Sequence, residues 1–293
     1  AVASVYEAES LRKNGINGEI AILGFCEDFG LAREIAARPL VYDEHTLRLA
    51  KKYDAEVFVK INTGMNRLGF STIGETASAV KNLRVLGVFT HLSSADGDDA
   101  TDRRITEAQI KNFMEAELVV KNEKDVPFYA ENSAALIKYG RFFDGARIGI
   151  ALYGVNPVPG DKTPLLPVMT FRAAVIAINT VKKGDFIGYS RGYRAKKDMR
   201  VAIISTGYAD GLPRALSNKG MIFCNGQFLK IVGKVSMDSV AVDAGDADVK
   251  IMDEVVVFGD EITVTDVANR ADTLPYEILT GVSERVKRVY KNP

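Results

Sequence analysis

The sequence predicts an α/β protein: a TIM-like (β/α) barrel, with its N-terminal part missing, over residues 1–168, and a mostly β domain over residues 169–293. Three observations lead there. Through the first part, short apolar runs alternate with amphipathic segments of helical spacing, the grammar of a parallel sheet covered by helices. The stretch "NPVPGDKTPLLP" then interrupts it with prolines. Beyond it, β-rich runs follow one another with tight turns between them.

In order, "SVYEAESLRKNG" has helical spacing and a glycine stop, "EIAILGF" is a short strand, "DFGLAREIAAR" a helix and "PLVYD" a strand. "EHTLRLAKKYD" is a helix, "EVFVKIN" a strand, "IGETASAVKNL" a helix and "LRVLGVFTHLSS" a strand. "TDRRITEAQIKNFMEAELVVKNE" is a long amphipathic helix, followed by "PFYAENSAALIKYG" and "GARIGIALYG". This many repeated units suit a closed barrel. In the second part "MTFRAAVIAINTV", "DFIGYS", "MRVAIISTGY", "MIFCNGQFLKIVGKV", "SVAVD" and "EVVVFG" are strands, "CNGQ" carries an Asn-Gly hairpin signal, and one helix within "PYEILTGVSERVKRVY" closes the chain. The chain enters its first helix at once without an initiator methionine, so residues before Ala1, and with them at least one barrel strand, are expected to be missing.

Bulk properties exclude several classes. Lys plus Arg equals Asp plus Glu at 38 each, which removes the electrostatic case for nucleic acid or an anionic membrane surface. Hydrophobic residues make up 47% and charged residues 26%, as in ordinary globular chains, so disorder and fibrous classes are out. Two distant cysteines, Cys26 and Cys224, match no metal spacing and point to a reducing compartment. With no apolar run of about 18 residues and no signal peptide, the expected location is cytoplasmic.

In a β/α barrel, chemistry gathers where the C-terminal ends of the strands meet the loops. "VFVKINTGMNRLGF" aims Lys60 and Arg67 out of one strand end, and "VFTHLSSAD" aims His91 out of the next. Asn132 and Ser133 follow "FYAE", and Arg147 lies in "GARIGIALYG". Singly, His91 reads as a satisfied structural histidine and Arg147 as half of an ion pair. Together they suit an anionic ligand: backbone N–H groups near Gly149 with Ser133 for a phosphate, and an arginine for a carboxylate. A phosphorylated small molecule is the ligand class this spacing favours. In the second domain, "FIGYSRGYRAKKD" and "ISTGYADGLPRALSN" set tyrosines between glycines, which fits either aromatic packing at hairpin bends or exposed tyrosines facing a ligand.

These stretches, with "KINTGMNRLGF", "ENSAAL", "VGKVSMD" and "PYEIL", run in one order along the whole chain and resemble the alanine racemase family. The resemblance implies an isomerase of the pyridoxal 5′-phosphate, fold type III class. Such an enzyme interconverts L- and D-alanine by a two-base mechanism and supplies D-alanine for peptidoglycan. It implies a homodimer with shared active sites, and no nucleic-acid or membrane partner for this segment. By position, Tyr189 matches the tyrosine base, and His91 the histidine between that tyrosine and an arginine. Arg147 matches the arginine at the cofactor's ring nitrogen. Ser133, the backbone of Gly149 and Ile150, and Tyr276 match phosphate ligands. Arg67 matches the residue near the cofactor's phenolic oxygen and the substrate carboxylate, and Tyr208 and Met237 match carboxylate contacts lent by the partner subunit. Lys60 matches a lysine that CO₂ carbamylates in many members, turning a cation beside Arg67 into an anion. The other reading leaves Lys60 neutral or solvated, with an ion bound beside Arg67.

The family's second base, a lysine that holds the cofactor as a Schiff base in a "KANAYGHG"-like stretch, has no match between Ala1 and Pro293 and is expected upstream. Without it the chain would be an inactive cofactor-binding pseudo-enzyme. Tyr129 stands where members usually have a histidine, and Lys234 where an arginine is common, while Asp96 and Arg214 keep the pattern. Tyr276 favours a small side chain such as that of alanine; a serine or broad-spectrum racemase is the alternative.

Overall fold

Each of the six helices of the N-terminal unit begins on a short polar side chain that accepts a backbone N–H. Ser4 caps α1 (Val5–Lys13), Asp28 α2 (Phe29–Glu34), Asp43 α3 (Glu44–Lys52), Thr72 α4 (Ile73–Asn82), Asp99 α5 (Ala100–Glu123) and Asn132 α6 (Ser133–Tyr139). Such caps satisfy donors that a helix start leaves unpaired, at about 1 kcal/mol each, and so fix where each crossover begins. Between the helices run β1 (Ile20–Ile22), β2 (Ala37–Val41), β3 (Glu56–Lys60), β4 (Arg84–Phe89) and β5 (Phe128–Tyr129), all parallel and ordered as in the sequence.

The computed structural model describes residues 1–291. The chain folds as two units, Ala1–Ala151 with Asn156–Pro164, and Leu152–Val155 with the chain from Leu165 on.

Register is what positions the first unit's chemistry. Lys60 pairs with Phe89, and Phe89 with Tyr129, so the residues that follow β3, β4 and β5 emerge at one edge of the sheet. One sheet face packs Phe58 on Phe89 with ring centroids 4.5 Å apart and Tyr129 edge-on to Phe89 at 5.2 Å. The opposite face carries the main core, where α5 places fully buried Phe113 against Phe128 and Phe143, at 5.0 and 4.8 Å. A closed barrel is not formed by the described residues. The free edge of β1 is bridged only by Val2, and the segment after α6 follows β5 through two bonds, Asp144 N–H to the Phe128 carbonyl and Arg147 N–H to that of Glu131. "GARIGIALYG" is therefore no strand: it runs irregularly into a 3₁₀ turn that Ile150 opens. Five parallel strands form a sector of the expected barrel.

The second unit is built on β6 (Phe171–Val181), which pairs with one neighbour through Phe171–Ala174 and with the other from Val175 on. Next come β7 (Phe186–Ile187), β8 (Tyr193–Arg194), β9 (Met199–Ile204), β10 (Met221–Cys224), β11 (Gln227–Lys230), β12 (Val240–Asp243) and β13 (Glu254–Phe258). Six of these form one sheet in the order β11-β10-β13-β6-β9-β12, and β7 and β8 pair separately. Asn225 and Gly226 both have positive φ (46° and 81°), the turn that the Asn-Gly signal predicts. Two readings need correction. "DFIGYS" is a strand only at Phe186–Ile187, because Gly188 turns the chain at φ 73° and Tyr189 enters a 3₁₀ turn. Two helices, not one, lie at the end: α7 (Val264–Ala271) and α8 (Pro275–Gly281). The signal for α7 is in the sequence, as the reciprocal cap Thr263–Asp266 followed by Val264, Val267, Ala268 and Ala271 on one face.

Phe113→Ala removes the ring that joins α5 to β5. It is expected to destabilise the N-terminal unit by about 3–5 kcal/mol, measured by denaturant unfolding.

Candidate active site

The loop after β3 is shaped by its own polar residues. Asn62 Oδ1 accepts from the Gly64 and Asn66 N–H groups at 3.1 and 2.9 Å, and Asn62 Nδ2 donates to Asn66 Oδ1 at 2.9 Å. Asn66 thereby sits in the left-handed region (φ 59°), where asparagine is tolerated better than most side chains, and Arg67 follows it. The loop returns to the strand end through Phe70 N–H to the Lys60 carbonyl. Gly69 has φ 131° and a Cβ there would lie 2.4 Å from Asn62 N, so no other residue fits. Lys60 ends the strand 7% exposed, without an ion pair among the described residues. Burial, then Arg67 and Arg147, pull its amine down to about 8.

Arg147 gathers the neighbouring strand ends. It donates to the Tyr129 carbonyl at 2.6 Å, the Thr90 carbonyl at 2.6 Å and His91 Nδ1 at 3.2 Å, with its guanidinium 5.1 Å above the Phe89 ring. Because arginine only donates, Nδ1 accepts and the imidazole proton sits on Nε2. Burial, followed by Arg147, Arg67 and Lys60, holds His91 down at about 4, so it is neutral at pH 7. Burial lowers Arg147 to about 10, opposed by the Glu131 carboxylate, and it stays protonated at neutral pH. Ser133 is buried, and its Oγ accepts from Gly149 and Ala151 N–H at 3.1 and 3.4 Å. A cationic edge thus lies beside a hydroxyl and a run of backbone N–H groups. That donor set fits a phosphorylated anion carrying an aromatic ring nitrogen, and at Gly149 no atom lies near the place of a Cβ.

In the second unit, Tyr189, Tyr208 and Met237 line a common cavity of about 350 Å³ with Arg214, Lys234 and Asp238. The bond from Tyr208 N–H to the Ser236 carbonyl and that from Ala209 N–H to the Met237 carbonyl, both 3.0 Å, lock "GYADG" onto "SMD". Gly207 makes the approach possible, since a Cβ there would lie 2.3 Å from the Met237 carbonyl. Arg285 braces both stretches, donating to Asp210 at 2.7 Å and Asp238 at 2.6 Å. Tyr276 lies on α8, half exposed. A larger cavity of about 490 Å³ in the first unit is lined by Tyr42, Asp43 and Phe70 but by none of Lys60, Arg67, His91 or Arg147.

Sequence reasoning missed Glu131, Gln109 and Arg285. Glu131 is fully buried and accepts the Phe142 and Phe143 N–H groups at 2.5 and 3.0 Å. Only an acid inside the otherwise non-acidic "FYAENSAAL" signalled it.

Fold and site together define a class: a (β/α)-barrel sector whose strand ends suit an anionic ring cofactor, coupled in one chain to an antiparallel domain that presents tyrosines. The family model "Alanine racemase, N-terminal domain" matches residues 1–157, and "Alanine racemase, C-terminal domain" matches residues 168–290. The alanine racemase of Aquifex aeolicus is 36% identical over 291 residues, covering 99% of this chain and 82% of its own length. Among solved structures, the Bartonella henselae alanine racemase with covalently bound pyridoxal phosphate superposes with a TM-score of 0.88 at 30% identity, covering 99% of this chain and 84% of that one. The Clostridium difficile 630 alanine racemase gives a TM-score of 0.90 at 30% identity, over 99% and 80%. The chain belongs to the alanine racemase family.

The folded His91 resists protonation at about 4 against its ordinary 6.5, so between these values the unfolded chain binds more protons. Stability is therefore complete above pH 6.5 and falls as the pH drops toward 4, by up to about 3 kcal/mol. His91→Asn should flatten that slope in unfolding titrations.

Proposed function

We propose that this chain is the catalytic part of a pyridoxal 5′-phosphate-dependent isomerase that racemises alanine, and that its physiological product is D-alanine for peptidoglycan. The 3.2 Å contact between Arg147 and the neutral His91 carries the reading, because it pairs a permanent cation with a proton-relaying ring at the strand-end mouth. Pyridoxal phosphate, when bound, supplies an electron sink that acidifies the Cα–H of an attached amino acid.

The chain's residues divide the remaining work. Ser133 and the backbone of Gly149 and Ile150 would hold the phosphate, and the resemblance adds Tyr276 to them. Arg147 would stand at the cofactor's ring nitrogen and, staying protonated, would give it no proton, which would disfavour transamination. Tyr189 takes or returns the α-proton at its phenolic oxygen, and the resemblance gives His91 the place between such a tyrosine and Arg147. Arg67, Tyr208 and Met237 orient the substrate carboxylate, with Arg214 and Lys234 adding positive charge at the entrance. Tyr189, Tyr208 and Met237 are 70%, 45% and 53% exposed, which supports a head-to-tail homodimer in which they complete the partner's site. No helix among the described residues is long and apolar enough to cross a membrane. The resemblance assigns the opposite base to a lysine that no residue from Ala1 to Pro293 matches.

Lys60 is the site of carbamylation. At about 8 its amine is partly neutral under physiological conditions and attacks CO₂, forming an N–C bond and releasing one proton. The resulting anion relieves the repulsion from Arg67 and Arg147.

In protein bearing that lysine, alanine should turn over faster than serine or lysine. Tyr189→Phe should lower racemisation by orders of magnitude while the cofactor absorbance stays. Near-normal turnover by this variant refutes the assignment. With ¹³C-labelled bicarbonate, a carbamate resonance should appear in the parent protein and vanish in Lys60→Ala.

A further inference from the structure

The groups at the strand-end mouth stand on two separate loops, and one buried side chain touches both. Gln109, on α5, is 2% exposed. Its Nε2 donates to the His91 carbonyl at 3.2 Å and to Thr63 Oγ1 at 3.5 Å, and its Oε1 accepts from Ser93 N–H at 2.9 Å and Ser93 Oγ at 3.0 Å. All four hydrogen-bonding positions of the carboxamide are used, and they point to two loops: residues 61–70, which carry Arg67, and residues 90–97, which open on His91. Thr63 passes the contact on. Its hydroxyl lies 2.7 Å from that of Thr90, which donates to the Ile61 carbonyl at 3.0 Å. Asn112, one turn along α5, adds a bond to the Thr63 carbonyl at 3.4 Å.

A buried amide of this kind is expensive to leave unpaired, and satisfying it fixes both loops at once. We infer that Gln109 is a positioning residue for the reactive site: its carboxamide sets the His91 backbone, and thereby the imidazole's seat against Arg147, in one geometry with the Arg67 loop. The inference deepens the function proposed above and rests on it for the role of His91. The charged groups facing that imidazole are Arg147, Arg67 and Lys60. Once the loop loosens, water reaches the ring, the desolvation that suppresses its protonation weakens, and it gains proton affinity.

The chain has two histidines, His91 and the exposed His45, so ring ¹⁵N–¹H correlation spectra of the full chain follow each through a pH titration with the other as internal control. Gln109→Met keeps the side-chain volume and removes all four bonds. It should raise the His91 midpoint by about one unit or more and leave His45 where it was. In cofactor-loaded, lysine-bearing protein the same change should lower kcat at least tenfold with KM within about twofold. An unmoved His91 midpoint alongside a lowered melting temperature makes Gln109 a structural residue only and overturns the inference. Should Gln109→Met fail to fold, Ser93→Ala deletes one of the four bonds, along with the 3.3 Å contact between the Ser93 and Ser94 hydroxyls, and should shift His91 in the same direction by less; no shift in Ser93→Ala then overturns it. The titration needs no turnover. A His91 shift, with no alanine racemisation by cofactor-loaded, lysine-bearing protein, would discard the proposed function and leave the role of Gln109 standing.

Discussion

The chemistry of the first unit depends on Arg147. Its guanidinium spans the ends of β4 and β5, donating to three carbonyls, those of Tyr129, Thr90 and Ala130, and one imidazole nitrogen while it lies over the Phe89 ring. A cation in this position would be costly without the backbone carbonyls that receive its protons and the buried Glu131 carboxylate behind it. Those bonds also fix the tautomer of His91, since a donor at Nδ1 leaves the ring proton on Nε2. One side chain thus settles the position, charge and proton location of its neighbour.

Around it the field is positive. Lys60, Arg67 and Arg147 lower the proton affinity of His91 together, and Arg67 and Arg147 do the same to Lys60. Ion pairs elsewhere on the chain are mostly exposed and contribute little each, whereas among the described residues no carboxylate is bonded to these cations. An unbalanced positive cluster at a strand-end mouth is a binding feature more than a stabilising one, and an anionic ligand or a carbamate on Lys60 is what would balance it.

The second unit solves a different problem, that of presenting aromatic side chains outward from a sheet whose core needs apolar ones. It does so with close backbone crossings in place of side-chain packing. Gly207 lets "GYADG" lie directly on "SMD", and Arg285 ties Asp210 to Asp238 across that crossing. Tyr189 is presented by a turn in which Ser190 and Arg191 both hold positive φ (53° and 56°), a conformation that side chains other than glycine adopt at a cost of about 1–2 kcal/mol per residue.

The class of each half, the order of nearly all elements and the residue types at the strand ends can be read from the amino-acid sequence. These follow from local pattern: hydrophobic period, caps such as Thr72 and Asp43, and the Asn-Gly turn. The incomplete barrel was expected, but the number of strands that pair in it, five, was not determined, because pairing at an edge depends on what lies beside it and not on the strand's own residues. Helix α7 was legible and was overlooked, since its eight residues are short beside the strands that precede them. That Gln109 and Glu131 belong with the site emerges from the folded chain alone. Each is one polar residue in an otherwise ordinary segment, and its importance comes from partners 11 to 46 positions away that register and helix packing bring within bonding distance.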